Sequence, residues 1–322
     1  MYNRKSSKIK ILFFGLGSIG LKHAKILKEK FDVDLYAYRT GKGQEKNTLK
    51  IQTFNTFKQA FDIKPDVAFI TNPIFLHVPT ALQCVKQNID LFIEKPLSHS
   101  LENLNELEAE IKKRKLFTYI AYNMRFHPVI INLKELIQQN GKPFYFRATC
   151  NSYLPNWRPR QDYTKSYSAK KSQGGGVTLD LSHEFDYITW LFGEITNVHG
   201  YIDKISDLNI DSEDIVEAQL TCNSVKGSLH LDCFSLENER KIQLYYNDKY
   251  VEGDLNKCFI KTKNLNGKEK IIRYQFKRND MYEKQLIYFF EQYKNRNYKI
   301  MNNFSEALKT FKKIMKFKSK YC

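Results

Sequence analysis

Three groups of residues have the types and the spacing that chemistry requires. Glu94-Lys95-Pro96 places a carboxylate, an ammonium and a proline directly after an apolar run. A glycine-rich hexapeptide, Gly15 to Gly20, follows another apolar run, and Asp180 and His183 stand three residues apart after Gly174-Gly175-Gly176. A lysine can transfer a proton when its pKa is lowered, an imidazole can assist it, and glycine N–H groups at a helix start can bind phosphate. The three groups therefore indicate proton transfer beside a phosphate-bearing ligand.

The glycine motif has the context that makes it informative. The β-rich run Ile9 to Phe14 precedes it, and the apolar residues after it recur at helical spacing. Gly15 permits the tight turn, Gly17 lets the backbone approach a pyrophosphate, and Gly20 lets the helix pack close to the strand. We therefore predict a dinucleotide site that includes the following residues of this turn: Gly15, Gly17, Ser18, Ile19 and Gly20.

The end of the second strand indicates which dinucleotide binds. Sites for NAD usually carry an acidic residue there, whereas this chain reads Tyr38-Arg39-Thr40-Gly41-Lys42. Arg39 and Thr40 suit a 2′-phosphate, and Lys42 adds positive charge. NADP is the expected cofactor and NAD the alternative, since Arg39 could instead stack on the adenine.

The rest of the first part alternates between strands and helices. Six predicted strands end near residue 122, which is typical of a doubly wound parallel sheet, the Rossmann type of α/β fold. Ligands of such sheets bind at the carboxyl ends of the strands. We therefore assign the polar residues at two of these ends to the cofactor site: Thr71, Asn72, Pro73, Glu94, Lys95 and Pro96. His77 either touches the cofactor or is only a polar residue near a helix start.

Residues 123–322 are predicted to form an α+β domain with a large, open, mostly antiparallel sheet and C-terminal helices at about 280–295 and 304–318. We therefore predict two domains, residues 1–122 and residues 123–322. Helical spacing continues from residue 181 to Gly193, which should stop the helix. Asp180 and His183 would then share one face, so the carboxylate could orient the imidazole. Glu184 or Asp186 could instead be the orienting or capping group.

An aromatic-rich segment precedes this helix and shows neither helical nor strand periodicity. Such a loop suits a polyol, because aromatic rings pack on C–H surfaces while tyrosine and arginine bind hydroxyls or phosphates. The alternative is a packed crossover loop. The candidate substrate residues of this segment are Tyr153, Trp157, Arg158, Tyr163 and Tyr167.

Composition limits the other possibilities. The net charge of +17 raises nucleic acid, an anionic membrane or an anionic substrate as partners, but the lysines are spread along the 322 residues. We expect neither nucleic acid nor membrane as a partner, since no apolar run approaches the ~20 residues of a membrane span. Six scattered cysteines and a start without a signal peptide favour a cytoplasmic protein without a metal site.

The chain resembles the glucose-fructose oxidoreductase, inositol dehydrogenase and MocA (Gfo/Idh/MocA) family. The glycine motif, Glu94-Lys95-Pro96 and Asn123 to Pro128 match the family pattern in order and spacing. The resemblance implies that Lys95 is the catalytic proton-transfer residue and that Pro96 can follow a cis peptide. It places Arg125 and His127 near the substrate entrance, and it implies a homodimer or homotetramer formed through the second sheet.

The glycine cluster before His183 extends the resemblance. Many members carry an Asp and a His here, with the His next to the substrate hydroxyl. The commonest spacing puts the acid four residues before the His, whereas Asp180 stands three before it. The catalytic set implied is therefore Lys95, His183 and, less securely, Asp180.

The expected activity is NAD(P)-dependent hydride transfer to or from a secondary alcohol or ketone of a sugar. The resemblance favours a nucleotide-linked or amino sugar of surface polysaccharide biosynthesis. The alternatives are a polyol or inositol-type dehydrogenase and a non-catalytic, NADP-binding regulator.

Overall fold

The computed structural model describes residues 8–41 and 45–321. The chain divides into two compact units. The first comprises the residues up to Ala121 together with Tyr282–Leu308, and the second comprises Tyr122–Met281 together with the residues from Lys309 onward. No described helix has the length and the apolar character that a membrane span needs.

The first unit is built on six parallel strands in the order β3-β2-β1-β4-β5-β6. This order reverses direction at β1 and β4, as in a doubly wound sheet, so the predicted Rossmann fold is confirmed. The strands are β1 (Ile9–Phe14), β2 (Val33–Tyr38), β3 (Gln52–Phe54), β4 (Val67–Ile70), β5 (Asp90–Ile93) and β6 (Thr118–Ile120). The helices between them are α1 (Ser18–Lys30), α2 (Phe57–Asp62), α3 (His77–Lys86) and α4 (Leu104–Arg114).

The core of this unit is rich in aromatic rings. Phe69 of β4 and Phe92 of β5 stack with their ring centroids 4.2 Å apart. Phe289, from helix α8 (Arg278–Lys294), meets both rings edge-on and is fully buried. The sequence places the C-terminal helices with the second domain, whereas residues 282–308 belong to the first unit, because α8 covers the apolar rings of its sheet.

The second unit contains an eight-stranded sheet in the order β14-β13-β12-β11-β7-β10-β9-β8. Only the β7–β10 pair is parallel among the described pairs, which confirms the predicted, mostly antiparallel sheet. The strands are β7 (Tyr145–Tyr153), β8 (Ile195–Asp203), β9 (Ile215–Cys222), β10 (Val225–Asp232), β11 (Phe234–Tyr245), β12 (Lys249–Asp254), β13 (Phe259–Asn264) and β14 (Glu269–Arg273).

Helices of the second unit pack on this sheet. They are α5 (Pro128–Asn140), α6 (Val177–Asp180), α7 (His183–Phe192) and the second half of α9 (Phe304–Lys318). The ring of Phe192 on α7 stacks on Phe146 of β7 with the centroids 4.5 Å apart. Val129 and Leu133 of α5 lie so close to Gly253 of β12 that a Cβ there would meet both side chains. The helices thus bury their apolar faces on one side of the sheet.

Candidate active site

The turn between β1 and α1 has the geometry that a dinucleotide requires. Gly15 has φ +98°, and a Cβ on it would lie 3.0 Å from the backbone of Asn72. A Cβ on Gly20 would lie 2.4 Å from the Gly15 carbonyl oxygen, so the helix start can approach the strand only with glycine there. A Cβ on Gly17, in contrast, would meet nothing within 4 Å. The backbone at Gly17 is therefore open to a ligand.

The first turn of α1 has neither a side-chain cap nor an acidic residue. Its N–H groups and the positive end of the helix dipole are thus available to an anion. Ser18 is exposed and Ile19 is half-buried at this helix start. These residues fit the pyrophosphate of a dinucleotide.

Arg39 and Thr40 directly follow β2 at the same edge of the sheet. The Arg39 guanidinium donates a hydrogen bond to the Glu45 carbonyl, and the Arg39 amide donates to the Phe54 carbonyl. Thr40 is exposed, whereas Lys42 lies outside the described residues. A cation therefore stands where a 2′-phosphate would be recognised.

The turn after β4 is hydrogen-bonded to the glycine turn. The Thr71 hydroxyl donates to the Gly15 carbonyl at 2.6 Å, while the Asn72 amide group donates to the Thr80 hydroxyl at 2.9 Å. Pro73 precedes a short 3₁₀ helix that leads into α3. Thr71 thus fixes the glycine turn rather than presenting its hydroxyl to solvent.

His77 connects two loops of the same edge. It is 1% exposed, and its ring nitrogens lie 3.0 Å from the carbonyl oxygens of Asn72 and Pro96. Burial lowers the pKa of His77 below its ordinary value, while the two carbonyl oxygens oppose that shift. His77 thus lies between the loop after β4 and the loop after β5 and contacts both.

Glu94-Lys95-Pro96 leaves β5 at the carboxyl edge, as predicted. The Lys95–Pro96 peptide bond is cis. The Glu94 amide donates to the Ile70 carbonyl, and the Glu94 carboxylate accepts the Lys95 N–H at 3.2 Å. Lys95 is half-buried between two buried neighbours. Its backbone is thus held in place by hydrogen bonds within the first unit.

Sequence reasoning missed one member of this edge. His23, on α1, is fully buried, and its Nε2 lies 2.6 Å from Oε1 of Glu94. The sequence separates the two residues by 71 positions. The available signal was helical spacing, because His23 belongs to the apolar face that includes Gly20, Ala24 and Leu27.

In the second unit, the helix predicted to carry both Asp180 and His183 is interrupted. α6 ends at Asp180, residues 181 and 182 form a turn, and α7 begins at His183. The expectation of one continuous helix is wrong, because Leu181 takes φ −99° and ψ 26° and leaves the α-helical region. Gly193 ends α7 with φ +103°, as predicted. Asp180 and His183 therefore lie on two different helices, at the end of α6 and at the start of α7.

Two arginine–carboxylate pairs fix α7, one buried and one with a partly exposed arginine. Arg125 donates to Asp186 through Nε at 2.9 Å and Nη2 at 2.8 Å. Arg240 of β11 donates to Glu184 through Nε at 2.6 Å and Nη2 at 3.0 Å. Glu184 and Asp186, the two alternatives to Asp180 as orienting or capping group, thus each bind an arginine. The Arg125 side chain is 1% exposed and is bound to α7 through Asp186.

His127 caps a helix. Its Nδ1 accepts the Val129 N–H at 3.2 Å, its ring meets Phe276 edge-on, and it is 2% exposed. The His183 ring lies 5.7 Å from the Tyr122 ring and is half-buried. Of the two predicted histidines, His183 is the more accessible.

The segment 153–167 is irregular, as expected, and contains short 3₁₀ helices. It brings three predicted site residues together: the Asp180 carboxylate lies close to Tyr167, and the Arg158 guanidinium lies 5.1 Å above the Tyr167 ring. The Asp180 carboxylate and burial raise the pKa of Tyr167 above its ordinary value. Asp180 thus has a tyrosine partner that the sequence did not indicate.

The other aromatic residues of this segment have structural contacts. Trp157 donates to the Ser152 hydroxyl at 2.8 Å, and the Tyr163 hydroxyl accepts the Asn209 N–H at 3.3 Å. Tyr153 ends β7 and pairs with Phe234. Each of the three is half-buried.

Within residues 8–41 and 45–321, no three His, Cys, Asp or Glu side chains are grouped to hold a metal ion.

Comparison with known families decides the class. Residues 9–122 match the oxidoreductase family with an NAD-binding Rossmann fold, and residues 130–251 match the GFO/IDH/MocA C-terminal domain. The chain belongs to the Gfo/Idh/MocA family. It is thus an enzyme of the NAD-dependent sugar and polyol oxidoreductases that act on CH–OH groups.

Individual relatives are distant but match most of this Gfo/Idh/MocA chain. The myo-inositol 2-dehydrogenase of Thermotoga maritima is 26% identical over 96% of this chain and 88% of its own. The rhizopine catabolism protein MocA of Rhizobium meliloti is 23% identical over 69% of each. The UDP-N-acetylglucosamine 3-dehydrogenase GnnA of Acidithiobacillus ferrooxidans shares the fold, with TM-score 0.80, 17% identity and 98% of each chain covered.

Proposed function

We propose that this oxidoreductase transfers a hydride between a nicotinamide cofactor and a CH–OH carbon of a sugar, with Lys95 moving the hydroxyl proton. The observation that carries the proposal is the carboxyl edge of β5. There Lys95 follows a fully buried strand, its own N–H is held by Glu94, and its proline neighbour is held by His77. A fixed lysine at this edge of a Rossmann sheet is placed where ligands bind.

The cofactor proposal follows from the glycine turn. The open backbone at Gly17 and the uncapped start of α1 would hold the pyrophosphate, and NAD(P) supplies the hydride acceptor or donor. We propose NADP over NAD because Arg39 and Thr40 stand at the end of β2, where no carboxylate is present. Arg39 would pair with the 2′-phosphate.

The chemistry asked of Lys95 is general acid–base catalysis. A lysine accepts a proton near neutral pH only when its pKa is lowered, and burial and nearby positive charge both lower it. Lys95 is half-buried, which agrees with that need. In the direction of oxidation Lys95 would take the hydroxyl proton, and in the direction of reduction it would return it.

The second unit would supply the substrate contacts. We propose that His183 assists the proton transfer, and that Asp180 orients the substrate group together with Tyr167, whose pKa the Asp180 carboxylate raises. Arg158 and Trp157 would contact the sugar. Arg125 and His127 would act indirectly, because Arg125 binds Asp186 on α7 and His127 caps α5.

We propose a nucleotide-linked or amino sugar of surface polysaccharide biosynthesis as substrate. The aromatic and cationic segment 153–167 supports this class, since it joins rings for C–H surfaces to a guanidinium for phosphate. The second candidate is an inositol-type polyol, which is favoured by the match to nearly the whole length of a myo-inositol 2-dehydrogenase. We also propose a cytoplasmic homodimer or homotetramer formed through the second sheet, with no nucleic acid partner.

The test is nicotinamide absorbance with a panel of nucleotide-linked, amino and free sugars and inositols, each with NADP(H) and NAD(H). We expect turnover with one sugar class, a preference for NADP(H), and a loss of at least about 100-fold in kcat for Lys95→Ala. Lys25→Ala, an exposed lysine on α1, is the control and should retain wild-type turnover. Wild-type turnover in Lys95→Ala would overturn the role of Lys95, and a preference for NAD(H) would overturn that of Arg39.

A further inference from the structure

The His23–Glu94 pair joins the helix of the glycine turn to the lysine loop. The His23 side chain is 0% exposed and the Glu94 side chain 12%. A carboxylate offers only acceptors, so the His23 Nε2 must carry the hydrogen in this 2.6 Å contact. The second carboxylate oxygen of Glu94 accepts the Lys95 N–H. One carboxylate therefore connects α1 to the backbone of Lys95.

The surroundings of the pair are apolar. The rings of Phe69, Phe92 and Tyr282 stand edge-on to the imidazole, with centroids 5.2 to 6.1 Å away. The other ring nitrogen, Nδ1, has no hydrogen-bond partner among the described residues. An imidazole and a carboxylate lose solvation in such a place, and apolar side chains of similar volume would pack there at least as well. Fold stability alone thus gives no reason for this pair.

The position of the pair suggests what it does. His23 lies one helical turn after Gly20, on the helix whose start we assign to the pyrophosphate. The Glu94 N–H donates to the Ile70 carbonyl, so β4 fixes the backbone of Glu94 while α1, through His23, fixes its carboxylate. A shift of α1 relative to β5 would therefore change the support of the Lys95 N–H.

We propose that His23 is a positioning residue: through Glu94 it fixes the backbone of Lys95 at a set distance from the phosphate-binding end of α1. This inference rests on the proposed role of Lys95. His23 itself touches neither cofactor nor substrate. It would act on kcat, since small displacements of a proton-transfer group cost rate more than they cost binding.

The test uses the sugar with the highest turnover in the panel above. His23→Leu alone leaves Glu94 buried without its partner and is expected to lower Tm, so the decisive variant is His23→Leu with Glu94→Leu, which makes the site apolar. We expect this double variant to recover wild-type Tm but to keep a 10- to 100-fold lower kcat. His23→Gln, whose amide can donate to Glu94, should recover most of the kcat.

Leu27→Ala is the matched control, since Leu27 is buried on the same helix one turn further along. It should lower Tm and leave kcat unchanged. The inference is overturned if the double variant has wild-type kcat, or if Leu27→Ala lowers kcat as much as the double variant does. Should Lys95→Ala turn over like wild type, or no sugar turn over at all, the proposed function fails and this inference fails with it. A Lys95→Ala loss combined with a fully active double variant removes only the role of His23.

Discussion

Two candidate catalytic side chains are held in different ways. Lys95 stands on a loop fixed by backbone hydrogen bonds, by His77 and by a carboxylate that one buried histidine supports. His183 begins a helix, α7, that two bidentate arginine–carboxylate pairs attach to neighbouring elements of the second unit. The first arrangement uses main-chain geometry, two imidazoles and one carboxylate, and the second uses four charges, of which three are buried and one, Arg240, is partly exposed.

The difference has an energetic consequence. Backbone hydrogen bonds of a strand end are kept whatever the side chains are, so the lysine loop should tolerate substitution with moderate losses of stability. A buried guanidinium without its carboxylate is an unsolvated charge, so α7 should depend strongly on each partner. Substitutions at the ion pairs of α7 should therefore mainly lower the stability of the second unit. Substitutions around the lysine loop should mainly lower the catalytic rate.

The largest expected effect is at the Arg125–Asp186 pair. Asp186→Ala leaves a guanidinium that is 1% exposed without its bidentate partner, and we expect a loss of about 3–5 kcal/mol in the free energy of unfolding. Urea denaturation followed by circular dichroism measures it. Arg125→Met with Asp186→Leu should recover most of the loss.

The control is Glu29→Ala, which removes an exposed partner 4.0 Å from Lys25 and should cost less than about 0.5 kcal/mol. If Asp186→Ala lowers the free energy of unfolding no more than Glu29→Ala does, α7 does not depend on its buried ion pair. The proposed difference between the two units is then wrong.

Substitutions of two glycines in the glycine turn should have effects of intermediate size. A Cβ added at Gly17, which has an ordinary φ of −71°, would meet nothing within 4 Å, whereas a Cβ added at Gly20 would lie 2.4 Å from the Gly15 carbonyl oxygen. We expect Gly17→Ala to keep the wild-type Tm and to weaken NADP(H) binding about tenfold, and Gly20→Ala to lower both. Cofactor fluorescence titration and thermal unfolding measure the two effects. Unchanged binding in Gly17→Ala would contradict the phosphate assignment.

The smallest effect is a pH dependence of the second unit. A hydrogen bond from His230 to Asp232, with Glu217 adding a second, raises the pKa of His230 to about 9. Because the folded-state pKa exceeds the unfolded value of about 6.5, the stability from this cluster is complete below pH 6.5 and is lost as pH rises through 9.

We expect wild type to lose on the order of 1–2 kcal/mol between pH 7 and 10 from this group, and His230→Gln to lack that part of the slope. Urea denaturation at several pH values measures it. Parallel slopes in the two proteins would show that His230 does not carry the dependence.

The glycine turn and the lysine loop could be predicted because each lies in one contiguous segment. Strand, turn and helix signals follow one another from Ile9 to Lys30, and local geometry explains all of them. The parallel sheet follows from the alternation of elements. Periodicity was also sufficient for α9, which spans the predicted residues 304–318.

The supporting contacts could not be predicted, since they join residues far apart in the chain. His23 and Glu94 are 71 positions apart, and Arg240 and Glu184 are 56 apart. The sequence around a single buried charged residue contains no pattern that indicates which distant residue it pairs with. The break after Asp180 also lacks a signal, because Leu181 and Ser182 fit the helical spacing on both sides.

The position of α8 has a consequence for synthesis on the ribosome. Phe289 closes the ring cluster of Phe69 and Phe92, and Leu286 and Phe290 belong to the same core. At about 5–20 residues per second, the residues between Ala121 and Tyr282 take on the order of ten seconds to emerge. During that interval the nascent Rossmann sheet presents an uncovered aromatic surface. The N-terminal unit therefore completes its folding after most of the second unit has been made.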